Sequence, residues 1–151
     1  DKFRKVPPRE GLKGPSDILV GYLGNSHLTF TGRIPDDEML AVLCACDVCV
    51  QPDPLNDLND VSTMNKVIEY MALEKPVIAY DLKETRVSCG EAAVYAKPNR
   101  TDDLADKIIY LSNHPGLRKK MGEMGAKRVR DQLAWQYSIP NLLSAYDHAW
   151  R

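Results

Sequence analysis

Between Asn59 and Ala79 the chain reads NDVSTMNKVIEYMALEKPVIA, and from about Ser62 to Leu73 its apolar positions recur with a helical period. At roughly 100° per residue, Met64, Val67, Ile68 and Met71 fall on the side a helix buries, and Ser62, Asn65, Lys66 and Glu69 fall on the other. A hydroxyl, an amide, an ammonium and a carboxylate in order from the helix start form a candidate ligand strip. Shorter patterns flank it. HLTFTG (His27 to Gly32) alternates as a strand, PDDEMLAVLCAC opens with proline and acids as helices do, and DVCVQP is a short apolar strand. DPLNDLND is a polar loop, and PVIAYD (Pro76 to Asp81) is a buried type of strand. A loop LKETRVSCGE, a strand-like run AAVYAKP and a helix TDDLADKIIYLSNHP follow, the last with its threonine as N-cap. Helical stretches from Pro115 to about Leu133 and from Trp135 to Trp150 finish the chain.

Strands separated by helices require crossover connections, so the predicted fold class is α/β: a Rossmann-like, doubly wound parallel sheet with helices on both faces. Ligands of such sheets sit at the carboxyl ends of the strands. The first 26 residues hold one apolar segment, Ile18 to Leu23, and no clear βαβ unit. The reading therefore divides the chain into an N-terminal segment, 1–26, truncated or incomplete, and a ligand-binding domain, 27–151.

With 151 residues, 44% of them hydrophobic, the chain suffices for one globular core. A net charge of -1, with acids and bases interleaved, gives no footprint for nucleic acid or an anionic membrane, so any anion must be captured locally. No apolar run approaches the roughly 18 residues of a membrane span, and Asp1 to Glu10 is too polar for a signal peptide; the expectation is a soluble, cytoplasmic chain. Three of the four cysteines fall in CACDVC, which lacks the paired spacing of zinc sites and predicts buried or half-buried structural thiols. His27, His114 and His148 are scattered and read as surface or capping residues. The basic run LRKKMGEMGAKRVR reads as a solvated helix face, and Trp135 and Trp150 as core anchors of the last helix.

A helix entered from a loop after a strand offers free backbone amides and the positive end of its dipole, a natural anion site. Here those amides would be those of Ser62, Thr63 and Met64, with Lys66 adding a point charge and Glu69 accepting hydroxyl hydrogen bonds as carboxylates do from ribose. The competing reading is a capped helix whose Lys66 and Glu69 form an exposed pair worth a few tenths of a kcal/mol. Spacing alone divides evenly between the two.

STMNKVIEYMALEKPVIAYDLKETR, with LTFTGRIPDDEMLAVLCACDVCVQPDP before it and GEAAVYAKPNRTDDLADKIIYLSNHP after it, resembles the C-terminal, donor-binding half of GT-B glycosyltransferases. It looks most like the large retaining group 1, or family 4, type. The most specific element is K-x-x-E-Y-M-A-x-x-K-P-V-I-A, and the likeness runs from about His27 to the C-terminus. Carried over, Glu69 matches the second glutamate of the E-x7-E motif, which binds the donor ribose. At the first glutamate this chain has Val61, with Asp60 beside it as the candidate substitute, and Ser62 and Lys66 fit an S-x-x-x-K-x-x-E subgroup. The resemblance thus implies donor contacts at Asp60, Ser62, Thr63, Met64, Lys66 and Glu69, with Lys66 and Glu69 the candidate catalytic residues. It also implies base contacts in the Gly32-Arg33-Ile34 turn, against the plainer reading of Arg33 as cover for a strand end. ALEKP stands where such enzymes usually carry a glycine, which places Glu74 at a left-handed C-cap.

The activity so implied is hexosyl transfer, with retention, from an NDP-sugar, UDP- or GDP-linked, to a hydroxyl acceptor in polysaccharide or glycoconjugate synthesis. No cofactor and no obligatory metal are expected. The implied partners are the nucleotide-sugar and an N-terminal acceptor-binding half, onto which the last helix crosses and through which alone a membrane would be met; without it the chain is expected to be inactive. A GT-B-like UDP-sugar epimerase and a non-catalytic nucleotide-binding or interaction domain of the same fold are the alternatives.

Overall fold

The computed structural model describes residues 31–150, of which 31–40 belong to one compact unit and 41–150 to another. The 1–26 segment and most of the strand expected at His27 to Gly32 lie outside the described residues. Helix α1 (Asp36–Ala45) begins as its proline and acids imply, with Asp36, Asp37 and Glu38 in the first turn.

Three parallel strands form the sheet in the order β1 (Cys49–Gln51), β2 (Val77–Tyr80), β3 (Ala93–Ala96). Cys49 pairs with Val77 and Gln51 with Ala79, while Val77 to Tyr80 run in register with Ala93 to Ala96. Every residue of the central strand is buried, because successive side chains enter opposite layers. Val77 and Ala79 join Val67 and Met71 of α2 (Asn65–Ala72) and Cys89 of α3 (Lys83–Cys89). Ile78 joins Leu111 of α4 (Thr101–Ser112) and Met121 of α5 (Pro115–Arg128). This is the expected α/β fold with helices on both faces. Met71, Ile78, Leu82 and Leu111 are wholly buried, each contributing about 1.5–3 kcal/mol of apolar transfer.

The structure departs from the sequence reading at several places. The segment LKETRVSCGE, expected as a loop, holds α3 and a 3₁₀ turn, Gly90–Ala92. Leu82, Thr85, Ser88 and Cys89 are buried at helical spacing, but three of them are small and polar or weakly apolar, so a search for large hydrophobic residues passes over them. The Arg128 guanidinium closes the helix by donating to the carbonyls of Val87 (2.7 Å) and Ser88 (2.8 Å). Thr101 is the first residue of α4, not its cap; Arg100 holds the cap position, and Asp103 reaches back to accept the Lys97 amide at 2.6 Å. Helix α5 stops at Arg128 and continues as one wide turn, Val129–Leu133, in which the Ala134 amide reaches the Val129 carbonyl.

Trp135 and Trp150 are no core anchors: they are 65% and 86% exposed, and no residue of the last helix, α6 (Ile139–Ala149), is buried. The apolar side of α6 meets no core cluster of the described residues. Cys49 and Cys89 are buried, with burial pushing their thiols up to about 11 and about 12, whereas Cys46 is half-buried and Cys44 exposed.

Helix α2 ends in paired 6→1 and 5→2 hydrogen bonds, Lys75 N to Tyr70 O (2.9 Å) and Glu74 N to Met71 O (3.0 Å), with Glu74 at φ 57°. A side chain in that left-handed conformation costs on the order of 1 kcal/mol relative to glycine. Glu74→Gly is therefore expected to stabilise the domain by up to about 1 kcal/mol in chemical denaturation; no gain would mean that glycine's extra unfolded-state entropy offsets the relief.

Candidate functional site

The carboxyl ends of the strands meet a rim of loops. The loop after β1 turns back on itself: Asn59 Nδ2 donates to the Pro54 carbonyl and the Asn59 amide to Asn56 Oδ1, both at 2.8 Å, leading into a 3₁₀ turn, Asn59–Val61. It is tied to the loop after β3 by Asn99, whose Oδ1 accepts the Leu55 amide (2.7 Å) and whose Nδ2 donates to the Leu55 carbonyl (3.3 Å). It is tied to the start of α3 by Asp60 and Thr63. Asp60 accepts the Lys83 amide on Oδ1 (2.9 Å) and meets the Lys83 ammonium on Oδ2 (2.8 Å), while Thr63 Oγ1 donates to Glu84 Oε1 (2.7 Å). The hydrogen bonds from Lys83 hold the Asp60 carboxyl below its ordinary range.

Helix α2 starts at Asn65, later than the periodicity alone places it, with Met64 extended at the cap. Ser62 belongs to the loop: its hydroxyl donates to the Leu58 carbonyl (2.6 Å) and its amide to the Asn59 carbonyl (3.4 Å). Three-residue loop bonding competes with the helix there, so the open amides shift along the chain. The first bonded amide of the turn is that of Val67, to the Met64 carbonyl (3.0 Å); those of Thr63, Met64, Asn65 and Lys66 meet no acceptor among the described residues. Of the amides expected to be free, Ser62's is therefore taken, and both carboxylate oxygens of Asp60 are engaged by Lys83.

The two faces of α2 separate as the pattern requires. Val67 and Met71 are buried and Met64 and Ile68 half-buried, while Asn65 and Glu69 are exposed and Lys66 half-exposed. Lys66 does not pair with Glu69, the contact a merely solvated face would offer. Its ammonium crosses to Asp53, just beyond β1, at 2.6 Å, leaving the Glu69 carboxylate without an ion pair among the described residues. Asp53 also accepts Gln51 Nε2 at 2.7 Å. Gln51 is wholly buried and its Oε1 has no partner.

Asp53 and Gln51 are the functional candidates that the sequence reading missed. The available signal is a glutamine inside an otherwise apolar strand, CVQ, followed at once by Pro-Asp. Arg33 and Ile34 belong to the first unit, in the turn between Gly32 (φ 64°) and α1; Arg33 is exposed and Ile34 half-buried. Among the described residues no group of three or more His, Cys, Asp or Glu side chains is gathered as a metal site, and no helix is long and apolar enough to cross a membrane. Chemically, the head of α2 presents open amides, with the Lys66 ammonium and, a turn further on, the unpaired Glu69 carboxylate on the same helix, an arrangement able to hold an anion and to accept from hydroxyl groups.

Comparison with known proteins bears on what such a site is for. The family model described as glycosyl transferases group 1 matches residues 12–114. An uncharacterized glycosyltransferase of Methanocaldococcus jannaschii is 31% identical over 129 residues, covering 81% of this chain and 34% of that protein. The MMP alpha-(1->4)-mannosyltransferase of Mycolicibacterium hassiacum is 25% identical over 140 residues, 90% of this chain and 33% of that protein. Among solved structures, sucrose-phosphate synthase from Thermosynechococcus elongatus superposes with a TM-score of 0.72 at 22% identity, over 89% of this chain and 33% of that one. The chain spans about a third of the length of these relatives.

Proposed function

The chain belongs to the glycosyl transferases group 1 family, and on that premise we propose that residues 27–151 are the donor-binding half of a retaining GT-B glycosyltransferase. The donor is a UDP- or GDP-sugar, and its sugar passes to a hydroxyl acceptor held by an N-terminal half, in polysaccharide or glycoconjugate synthesis. No metal is required, because the chain supplies its own positive potential. The observation that carries this reading is the turn of Lys66 away from Glu69: the ammonium goes to Asp53 just beyond β1, the amides of Thr63 to Lys66 at the head of the same helix are open, and the Glu69 carboxylate is left vacant for hydroxyl groups.

In transfer, charge accumulates on the departing diphosphate. The amides at the start of α2, held by the backbone before the reaction begins, and the Lys66 ammonium stabilise it there. Glu69 accepts from the ribose hydroxyls and moves no proton. Arg33 and Ile34 keep the base-contact role that the resemblance implies, and Asp60 is assigned to holding the loop that precedes the open amides.

Calorimetric titration of the chain with UDP, GDP and ADP tests the reading. One nucleotide is expected to bind, and Glu69→Ala to weaken it about tenfold to a hundredfold, the range for a hydrogen bond to a charged group. A folded chain that binds none of them at millimolar concentration, both alone and with the N-terminal half supplied, would overturn the assignment, as would a Glu69→Ala variant of unchanged affinity.

A further inference from the structure

The carboxylate that Lys66 meets is no loose surface acid. Asp53 Oδ2 takes both the Lys66 ammonium, at 2.6 Å, and the Nε2 of Gln51, at 2.7 Å. Gln51 has no exposed surface and is held in β1 opposite Ala79, so the acid is fixed from the interior and the flexible lysine comes to it. The pair itself lies at the solvent boundary, with Lys66 38% and Asp53 28% exposed, where an arriving anion can reach the ammonium. A fixed carboxylate and a diphosphate therefore require the same cation.

We propose that Asp53 is a positioning residue that competes with the donor's diphosphate for Lys66. It holds the ammonium while the site is empty, yields it when the donor binds, and takes it back as the nucleoside diphosphate leaves. The residue thereby limits how long the product is retained. This inference rests on the donor-site reading of the α2 strip, and it makes a prediction of opposite sign to ordinary damage: removing the acid tightens binding.

Asp53→Asn keeps the shape of the side chain and an acceptor for Gln51 while removing the charge. Affinity and dissociation rate are measured with UDP, GDP and ADP for the wild type, Asp53→Asn, Lys66→Ala and the double variant, with melting temperature as the folding control. The nucleotide that binds the wild type is expected to bind Asp53→Asn about fivefold more tightly, the worth of releasing a partly exposed ion pair. Most of the gain should come from slower dissociation, and affinity should fall more steeply with salt. In the Lys66→Ala background the gain is expected to shrink to twofold or less, because nothing remains to compete for.

Acetic anhydride footprinting supplies a readout without nucleotide: Lys66 should be protected relative to Lys119 in the wild type and lose that protection in Asp53→Asn. Unchanged or weakened nucleotide binding by a folded Asp53→Asn overturns the competition, as does unchanged Lys66 reactivity; Asp53→Ser is judged in the same way if the asparagine variant fails to fold. A Lys66→Ala variant that binds as well as the wild type instead brings down the donor-site reading, and the competition with it. The two failures are therefore distinguishable.

Discussion

Gly122→Ala is expected to destabilise the domain by about 3 kcal/mol or more and to lower its melting temperature by roughly 10 °C. Gly122 lies in α5 against the left-handed end of α2 at Glu74. A Cβ on Gly122 would stand 2.1 Å from that oxygen and 2.8 Å from its carbon. Neither atom belongs to a side chain that could rotate away. The Glu74 amide is already bonded to the Met71 carbonyl and Lys75 to Tyr70, so relief requires α5 to lift off α2. Gly125, one turn on, would meet Met71 at 3.0 Å, so the helix cannot shift along its axis without closing a second gap. Gly116→Ala is the control: it lies in the same helix with nothing within 4 Å, and should be neutral or stabilising by up to about 1 kcal/mol. Calorimetric melting of the two variants decides the matter, because equal transitions would mean that the helices do not approach this closely.

On the proposed donor-binding role, Lys66→Ala, assayed with the N-terminal half present, is expected to lower kcat for sugar transfer by about 10²- to 10³-fold while changing stability by less than about 1 kcal/mol. The two halves of this prediction rest on different facts. The ion pair with Asp53 is partly exposed, so its loss barely alters the folded state. The charge proposed to act on a leaving diphosphate, by contrast, matters most when the phosphate oxygens carry the negative charge of the broken bond. Steady-state sugar transfer measured beside a thermal melt separates these terms. A fall in kcat of less than tenfold would remove Lys66 from the role of leaving-group partner, and a large fall in melting temperature would make the kinetic loss a folding defect.

What was legible in the chain followed from how strongly each segment signals its own period. β2 is apolar on both sides because it is central, and α2 separates its faces cleanly, so both could be read directly. Helix α3 escaped notice because its buried side is built from Thr85, Ser88 and Cys89, residues that carry little hydropathy even when they carry the packing. The tryptophans misled for the opposite reason: their apolar bulk suggests a core, but side-chain type does not say whether a neighbouring element exists to cover it. Within the strip, Lys66 and Glu69 follow from helical spacing, whereas Ser62 does not, because the asparagines of the preceding loop organise a turn that delays the helix. The Asp53 contact joins a strand end to a helix across a loop, and no local period reports such a meeting.

The lacing of the rim by Asn99, Asp60 and Thr63 has an effect on adaptability. Because the loop after β1 is bonded both to the loop after β3 and to the head of α3, the three segments form one braced frame, and any ligand arriving there has little ordering left to impose on them. The same bracing restricts how the rim can be reshaped to take a different ligand. Lengthening the loop after β1 would pull Leu55 from Asn99 and Thr63 from Glu84 together, so a change of specificity through loop length has to be accompanied by compensating changes in both neighbours, whereas substitutions at the exposed Leu58 and Val61 leave the frame intact and are the open route to altered recognition.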